Sequence, residues 1–362
     1  MLAPLVMLAL SVAAHAQILI GQTVGVTGAV AATVKEADLG AQMYIDAVNA
    51  KGGVGGQKIE LITLDDKFDP KLTFSNATTL IEERQVLALF MTRGTPHTEG
   101  ILPLVTQHGV PLIGPSTGAM VFHKPVNKWV FNVRAPYQRE AEKAIAHMVS
   151  IGTRRIGLIH VDDSFGADGA EGALKGLTAA KLKAVAVAKF DRTKPDFSAI
   201  APAMAEAQAQ AIMIIGSGTA VVDAVKAIKA TGSTAQLITL SNNASSGFTK
   251  LLGEQGRGVI VSQTLPRSFG YAFVREATQL ARERDIADVS PAMLEGFVSA
   301  KVLVEALRKT TGKLTRDRLQ SSLEGMQKFD LGGLEVSFSP TDHTGITFSD
   351  LSIISEDGKF RR

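Results

Sequence analysis

Residues 18–66, ILIGQTVGVTGAVAATVKEADLGAQMYIDAVNAKGGVGGQKIELITLDD, carry the pattern that decides the fold. An apolar run predicts a strand over 18–25, and the helical spacing of apolar side chains predicts a helix over 37–50. That helix ends at Lys51-Gly52-Gly53, a typical C-terminal signal, and a second apolar run predicts a strand over 58–64. A strand, a helix and a strand in this order predict two parallel neighbours in one sheet.

The same alternation continues beyond this unit and then starts again. In the first half we predict helices over 70–83 and 100–108 and strands over 86–91 and 110–113. The second half repeats the pattern with strands over 155–160, 184–189, 211–215 and 236–240 and helices over 169–182, 195–206 and 220–231. The C-terminal part is predicted to hold helices over 271–284, 291–310 and 316–325 and strands over 333–338 and 346–354, which would complete the two sheets. The fold class is therefore α/β, with two similar doubly wound α/β lobes.

Composition and charge exclude several classes of function. The chain has 362 residues, which suggests two domains or one large one. Its 38 basic and 35 acidic residues give a net charge of +3, and no segment is densely basic, which argues against a nucleic-acid partner. The absence of cysteine excludes disulfides, thiolate nucleophiles and iron–sulfur clusters. The seven histidines are scattered, so we predict no metal site and no cofactor.

The N-terminus has the pattern of a signal peptide. Residues 2–12 form an apolar run that is too short to span a bilayer, and Ala14-His15-Ala16 matches the small-residue pattern of a cleavage site. We therefore predict a signal peptide over 1–16, cleaved before Gln17. One departure from the pattern is that no lysine or arginine precedes the apolar run, and the alternative is a buried N-terminal strand or helix.

The candidate ligand site lies in the loops that follow the strands, because open α/β sheets bind ligands beyond the carboxyl ends of their strands. These loops are rich in Ser, Thr, Gly and Asn, and they comprise residues 27–33, 65–66, 92–96 and 114–118 in the first half and residues 162–166, 216–219 and 241–244 in the second. They offer hydroxyls and backbone N–H groups, which suit an anion. They are poor in general acids, bases and metal ligands, so we predict a binding protein and no enzyme activity.

One motif in these loops has a catalytic alternative. Residues 114–118, Gly-Pro-Ser-Thr-Gly, match the G-x-S-x-G nucleophile elbow of serine hydrolases, with Ser116 as nucleophile and His343, beside Asp342, as its base. An elbow needs a long helix directly after the serine, yet Lys124-Pro125 follows soon after and interrupts any such helix. A secreted serine hydrolase is therefore kept only as a remote alternative.

Several short motifs occur along the predicted mature chain. They are Thr27-Gly28, residues 46–56 (DAVNAKGGVGG), Asp65-Asp66, Asp69-Pro70, residues 109–111 (GVP), Pro115-Ser116 and residues 162–166 (DDSFG). Together they closely resemble the leucine/isoleucine/valine-binding protein family, whose members are solute receptors of branched-chain amino-acid-type ABC importers. The resemblance covers essentially the whole mature chain. It implies a type I periplasmic binding protein fold, in which three crossovers form a multi-strand hinge.

The resemblance also implies the domain organisation and the partners. Lobe 1 is expected to comprise residues 17–136 and 265–338, and lobe 2 residues 137–264 and 339–362. The protein is expected to be a monomeric receptor in the periplasm that closes around its ligand and then binds an ABC permease in the inner membrane. A periplasmic sensor domain that acts on a signalling partner stays open as an alternative.

The ligand residues of the family can be carried over one at a time. Thr95 takes the place of the hydroxyl that binds the ligand carboxylate, and Phe165 that of the aromatic residue that closes over the ligand from lobe 2. Ser241 stands where the family has the acid that pairs with the ligand ammonium. The other expected contacts are Thr33, Arg93, Ser116, Thr117, Gly118, Ser217 and Asn242. For Arg93, a surface pair with Glu99 is the alternative.

These replacements predict the class of ligand. A desolvated ammonium without a carboxylate partner is unfavourable by several kcal/mol, and with Ser241 in the place of the acid the site is predicted to hold no such partner. We therefore predict a small carboxylate without an α-amino group, favouring an aromatic, keto or hydroxy acid on which Phe165 could stack. The alternative is an amino-acid or amide receptor in which Asp162, Asp163 or another acid serves the amine.

Overall fold

The computed structural model describes residues 17–361, so the signal peptide predicted over 1–16 lies outside the described residues. Two sheets and one short hairpin organise this part of the chain. The prediction of two α/β lobes is therefore confirmed. Within residues 17–361, no helix is both long enough and apolar enough to cross a membrane.

The N-terminal part contains five strands and three α-helices. They are β1 (Ile18–Val24), α1 (Ala31–Ala50), β2 (Ile59–Asp65), α2 (Pro70–Thr78), β3 (Ala88–Phe90), α3 (Thr95–His108), β4 (Leu112–Ile113) and β5 (Val130–Phe131). The strands are all parallel and lie in the order β2-β1-β3-β4-β5. Asp69 begins α2 by accepting a hydrogen bond from the backbone N–H of Lys71, and Pro70 occupies the first turn, where no N–H is needed.

The middle of the chain repeats this plan. Its elements are α4 (Tyr137–Ser150), β6 (Ile156–Val161), α5 (Ser164–Ala179), β7 (Val187–Phe190), α6 (Ile200–Glu206), β8 (Ala211–Ile215), α7 (Thr219–Ala230), β9 (Gln236–Thr239), α8 (Ser246–Leu252) and β10 (Ile260–Gln263). The five strands are parallel and follow the order β10-β9-β8-β6-β7. Strands β6 and β8 are buried along their whole length, which explains their largely apolar sequences.

The C-terminal part adds two strands to the sheet of the middle part, and it adds three helices to the N-terminal part. Its elements are α9 (Ala272–Arg282), α10 (Pro291–Lys309), α11 (Arg316–Glu324), β11 (Phe329–Asp330), β12 (Glu335–Val336), β13 (Asp350–Ile354) and β14 (Phe360–Arg361). Strand β13 pairs with β10, and β14 pairs with β13, both antiparallel. Helix α10 packs on α1 so closely that a Cβ at Gly296 would lie 1.8 Å from the carbonyl oxygen of Ala37.

We call the five-stranded sheet with α1–α3 and α9–α11 the first lobe, and the seven-stranded sheet with α4–α8 the second lobe. The chain passes between them within residues 132–136, 264–271 and 337–349, which makes the predicted multi-strand hinge. The first and third of these segments run side by side, since Asn132 N donates to His343 O and Gly345 N donates to Asn132 O, each over 2.9 Å. We propose lobe boundaries after residues 136, 264 and 338, one in each segment.

The structure corrects parts of the sequence prediction. The strand predicted over 333–338 is only β12, and it pairs with β11 in a separate hairpin instead of completing the first sheet. The reason is a tight turn at Gly332 and Gly333, both at positive φ, which folds the chain back on itself. The sequence prediction lacks β5 and β10, because each is a short run between irregular segments. Helices α3 and α5 begin several residues earlier than predicted, so Thr95 and Phe165 lie in first helical turns.

Candidate functional site

Loops after the parallel strands of the two lobes meet where the lobes face each other. Arg93 follows β3 and contacts both Ser116, which follows β4, and Asn242, which follows β9. Gly94 has a φ of 93°, a conformation that favours glycine, and this turn lets α3 begin at Thr95. The predicted ligand residues are therefore brought together at the carboxyl ends of the strands, where an α/β fold binds ligands.

Arg93 is a buried cation at this contact between the lobes. Its side chain is 4% exposed, and it donates from Nη1 to Ser116 Oγ over 3.3 Å and from Nη2 to the backbone oxygen of Asn242 over 2.6 Å. Burial lowers the pKa of the guanidinium from its ordinary value. The alternative of a surface pair with Glu99 is wrong, because Glu99 instead accepts a hydrogen bond from Ser164 of the second lobe.

Ser116 links this cation to a carboxylate. Its hydroxyl donates to Glu295 Oε1 over 3.2 Å, and Glu295 belongs to the buried helix α10. A carboxylate can only accept, so the proton of Ser116 is committed to Glu295 and its oxygen lone pairs face Arg93. Ser116 therefore holds the two charged groups in a fixed relation and has no proton left for a ligand.

Arg134 is the second buried cation and joins groups from both lobes. It donates from Nη1 to Glu295 Oε1 over 3.1 Å, and from Nη2 to Glu140 Oε1 over 2.8 Å and to Ser241 Oγ over 2.7 Å. Glu140 also accepts from the backbone N–H of Ser241 over 3.1 Å. Burial opposes the charge of Arg134, but the surrounding groups, including both glutamates, outweigh it and raise its pKa. Arg134 therefore keeps its charge and pairs with both glutamates.

The prediction that the site holds no negative group is wrong. Glu295 lies one hydroxyl away from Arg93, and Glu140 contacts Ser241, the residue in the place of the family's acid. Asp162 and Asp163, the two acids named as alternative partners for a ligand amine, have other partners in the structure. Asp163 accepts from the backbone N–H groups at the start of α5, and Asp162 is an exposed partner of Lys189.

Thr95 and Thr117 form a hydroxyl pair beside this cluster. Their Oγ1 atoms are 2.8 Å apart, and both residues are buried. One hydroxyl donates to the other, so the accepting partner keeps its own proton and can donate it elsewhere. This arrangement can supply one hydroxyl proton to an anion, which is the role expected for Thr95.

Two packed aromatic rings lie next to Gly118, at the end of the loop over residues 114–118. The ring of Phe165 packs against that of Tyr137, with centroids 4.9 Å apart, and the backbone N–H of Tyr137 donates to Gly118 O over 2.7 Å. A Cβ at Gly118 would lie 2.7 Å from Ala135 O, so only glycine permits this approach of the hinge. Phe165 is 3% exposed and is already part of a packed pair.

The other predicted contacts lie on the second-lobe side or near it. Asn242 donates from Nδ2 to Ser217 Oγ over 3.0 Å, so both lie in the loop system that Arg93 reaches. Thr33 bonds to Ser245, with their hydroxyl oxygens 2.9 Å apart, and so joins the two lobes. The structure joins four predicted residues in one hydrogen-bonded network: Arg93, Ser116, Asn242 and Ser217. Thr33 lies outside this network and contacts Ser245.

A serine hydrolase site is not formed. His343 Nδ1 lies 2.8 Å from the carbonyl oxygen of Val130, and its ring stacks on Phe131. Ser116 instead lies between Arg93 and Glu295. Nucleophilic activation needs a base within hydrogen-bond reach of the serine, and His343 has other neighbours.

Sequence reasoning missed Arg134, Glu140, Glu295 and Tyr137. One signal was available, since Glu295 is an isolated acid in the apolar stretch PAMLEGFVSA and Arg134 directly follows the apolar run WVFNV. A charge within such a run indicates a buried and therefore paired group. The identity of the partners could not be obtained from the sequence, because they come from separate elements.

The family is now defined by its fold and by comparison. A model of the periplasmic binding protein family matches residues 17–358. The chain therefore belongs to the periplasmic binding protein family, with the type I fold. The members to which it is similar are named as binding proteins or receptors, in line with a binding function.

Individual relatives support the same family. A Leu/Ile/Val-binding protein, BraC3, of Rhizobium johnstonii is 28% identical over 200 residues, which are 53% of this chain and 53% of that protein. The chain thus spans about half the length of the curated relatives it matches. A substrate-binding periplasmic protein from Ralstonia solanacearum has a similar structure, with a TM-score of 0.88, 28% identity and coverage of 95% of this chain and 99% of that one. A possible leucine/isoleucine/valine-binding protein from Rhodopirellula baltica shares the fold, with a TM-score of 0.90, 24% identity and coverage of 96% and 97%.

Proposed function

We propose that this protein is the extracytoplasmic solute receptor of an ABC importer and binds a small carboxylate in the interlobe cleft. An aromatic, keto or hydroxy acid is the favoured ligand. The family, the predicted signal peptide and the polar strand-end loops support a receptor role in the periplasm. An ABC permease in the inner membrane is the proposed partner, and the receptor is proposed to act as a monomer.

The guanidinium of Arg93 is the observation that carries this proposal. An arginine has five N–H donors, and among the described residues only Ser116 and Asn242 accept from Arg93. Although it is buried, none of the carboxylates within residues 17–361 contacts it directly. A buried cation is unfavourable unless it is paired, and a ligand carboxylate can pair with a guanidinium through two hydrogen bonds.

Closure of the lobes supplies the proposed mechanism. Contacts that cross the cleft include Thr219 N to Ala29 O over 3.1 Å and Met120 N to Asp168 Oδ1 over 3.0 Å. A ligand held by first-lobe groups gains second-lobe contacts only when the lobes close, and this difference in affinity shifts the population towards the closed state. The closed form is then the one that a permease would bind.

An amino-acid receptor is the second candidate, and Glu295 favours it. A carboxylate one hydroxyl away from Arg93 gives the site a cation and an anion at short range, which suits a zwitterion. The relative from Rhizobium johnstonii is named a Leu/Ile/Val-binding protein, which points the same way. Against it, Glu295 already pairs with Arg134.

Thermal unfolding with a panel of small molecules tests the proposal. The panel contains aromatic, keto, hydroxy and amino acids together with the primary amide of each. A ligand that binds the native state raises the melting temperature, so we expect acids to stabilise the protein and amides to have no effect. Arg93→Met should abolish this stabilisation, whereas Arg257→Met, which alters an exposed pair with Glu356, should retain it. Equal stabilisation by acids and amides would contradict the proposal.

A further inference from the structure

Arg93 and Glu295 share one hydroxyl, that of Ser116, and this arrangement has a consequence for specificity. We propose that Glu295 is a specificity-determining residue that selects carboxylates with a hydrogen-bond donor on the carbon next to the carboxylate. The inference rests on the proposed function, because it assumes that the ligand carboxylate binds Arg93. The donor can be a hydroxyl or an ammonium, and the chemistry that the two share is an N–H or O–H directed at a carboxylate oxygen.

The available atom of Glu295 is its second oxygen. Oε1 accepts from Ser116 and from Arg134, whereas no group among residues 17–361 donates to Oε2. Glu295 is only 7% exposed, and a ligand in contact with Oε2 would displace the water that otherwise reaches this atom. An ionised carboxylate oxygen has lone pairs and no proton, so Oε2 can only accept. A ligand group beside it must therefore be a donor to be favourable.

Because Arg134 already pairs with Glu295, a neutral donor group on the ligand is sufficient for Oε2. Arg134 pairs with Glu295 over 3.1 Å and with Glu140 over 2.8 Å, so the charge of Glu295 is compensated before any ligand binds. A ligand need not bring a positive charge and only has to satisfy an acceptor. A hydroxy acid fits this requirement as well as an amino acid does.

Among the ligand classes proposed above, a keto acid is the one that this arrangement disfavours. With its carboxylate on Arg93, its keto oxygen would be an acceptor facing the acceptor Oε2, and a buried acceptor without a donor is unfavourable. We therefore expect a keto acid to bind at least about tenfold more weakly than the hydroxy acid of the same carbon skeleton.

Calorimetric titration of three matched acids tests the inference. The probes are phenyllactate, phenylpyruvate and phenylalanine, with the corresponding hydroxy, keto and amino acids of the leucine skeleton as a second set. In the wild-type protein the hydroxy acid, the amino acid or both should bind at least about tenfold more tightly than the keto acid. A comparison of the affinities for the hydroxy acid and the amino acid shows which donor group the site binds.

The variant Glu295→Gln tests whether Glu295 determines specificity, because the loss of a merely structural role would not change the ratio of the affinities for the acids. The amide oxygen must face Ser116 and Arg134, because both donate, and this places the amide N–H₂ where Oε2 was. The acceptor becomes a donor, so the preference should reverse towards the keto acid. Glu140→Gln is the matched control, because Glu140 also pairs with Arg134 but has no contact with Ser116. It should weaken all three acids alike.

Three results would overturn the inference. One is a wild-type protein that binds the keto acid as tightly as the hydroxy and amino acids. Another is a Glu295→Gln variant that weakens all acids equally and leaves their ratio unchanged. If that variant fails to fold, the wild-type ratio decides alone. Absence of binding by every acid would overturn the proposed function as well, so the two failures are distinguishable.

Discussion

The guanidinium of Arg93, in the first lobe, donates from Nη2 to the backbone oxygen of Asn242, in the second lobe, over 2.6 Å. The cation proposed to bind the ligand is therefore also a contact between the lobes. A ligand carboxylate that orders this side chain would favour contact between the lobes, because Asn242 belongs to the opposite lobe. On the proposed function, charge recognition and closure would be coupled through one residue.

Removal of Arg134 should strongly destabilise the fold. The variant Arg134→Met leaves Glu140 and Glu295 buried without their cation, and breaking a buried pair in this way costs about 3–5 kcal/mol. We expect a loss of this size in the free energy of unfolding, measured by urea denaturation. The control Arg257→Met removes an exposed cation, 3.6 Å from Glu356, and should change stability by less than about 1 kcal/mol.

The triple variant Arg134→Met, Glu140→Gln, Glu295→Gln separates the two explanations of that loss. If uncompensated charge is the cause, neutralising both glutamates should recover part of the stability. If the triple variant is no more stable than Arg134→Met, uncompensated charge is not the cause of the loss, and the lost packing and hydrogen bonds of the arginine are. That result would contradict the electrostatic account.

Gly296 should be intolerant of alanine, because α1 and α10 are in backbone contact there. A Cβ at Gly296 would lie 1.8 Å from the Ala37 carbonyl oxygen, and one at Gly40 would lie 1.9 Å from that of Met293. Overpacking against rigid backbone costs about 1–3 kcal/mol or more, so Gly296→Ala should lower the free energy of unfolding by at least about 2 kcal/mol.

Gly100→Ala is the matched control for this substitution. Gly100 lies within α3, is exposed and has open space where a Cβ would be placed. Alanine is the better helix former, by about 1 kcal/mol, so this variant should be neutral or more stable. Chemical denaturation of both variants under the same conditions compares them. Equal effects would mean that helix propensity alone governs the two sites.

The sequence predicted the part of the site that follows from strand ends. Arg93, Thr95, Ser116 and Thr117 come directly after apolar runs, and the carboxyl ends of parallel strands meet at one edge of a sheet. The structure does bring these four side chains into contact in two connected pairs. Local sequence was sufficient here because the positions depend only on where each strand ends.

The charged cluster could not be predicted in the same way. Glu295 is 179 residues from Ser116 along the chain, and Arg134 is 107 residues from Ser241. Their contacts depend on how α10 and the hinge pack, which no local pattern encodes. The error about the missing negative group followed from this, because the acids named for that role were Asp162 and Asp163, next to strand ends, and Glu295 lies in helix α10. The short strands β5 and β10 were missed for a similar reason, since only their neighbours in the sheet make them strands.

Asp168 should make stability depend on pH. It belongs to the second lobe and accepts from the backbone N–H of Met120 in the first, and its Oδ2 is buried without a partner. Burial raises the pKa of its carboxyl to about 6. A raised carboxyl pKa means that the folded state holds the proton more tightly than the unfolded state, so this contribution weakens folding as pH rises from about 4 to about 6.

Asp168→Asn isolates this effect, because the amide stays neutral throughout. The difference in free energy of unfolding between variant and wild type should shift in favour of the variant, by about 1–3 kcal/mol, between pH 4 and pH 7. Any fixed effect of the new amide cancels in this comparison. Urea denaturation at the two pH values measures it, and a difference that does not vary with pH would show that Asp168 is not the titrating group.

Gly247 offers a direct test of closure, because it lies at a contact that forms only between lobes. Its backbone N–H donates to Glu36 Oε1 over 2.6 Å, and a Cβ there would lie 2.9 Å from Ala32 Cβ and 3.2 Å from Ala32 O. Gly247→Val would place three carbons where the first lobe approaches. Each lobe can still fold, but the closed state is blocked.

We expect the free energy of unfolding of Gly247→Val to lie within about 1 kcal/mol of the wild-type value. The variant should nevertheless bind any acid that stabilises the wild type at least about tenfold more weakly. Small-angle X-ray scattering with a saturating concentration of that acid should show a larger radius of gyration than the wild type. Gly100→Val, at an exposed position, is the control and should leave both measurements unchanged. Because ligand contacts from the second lobe depend on closure, a Gly247→Val protein that binds normally and compacts normally would exclude hinge closure as the source of affinity.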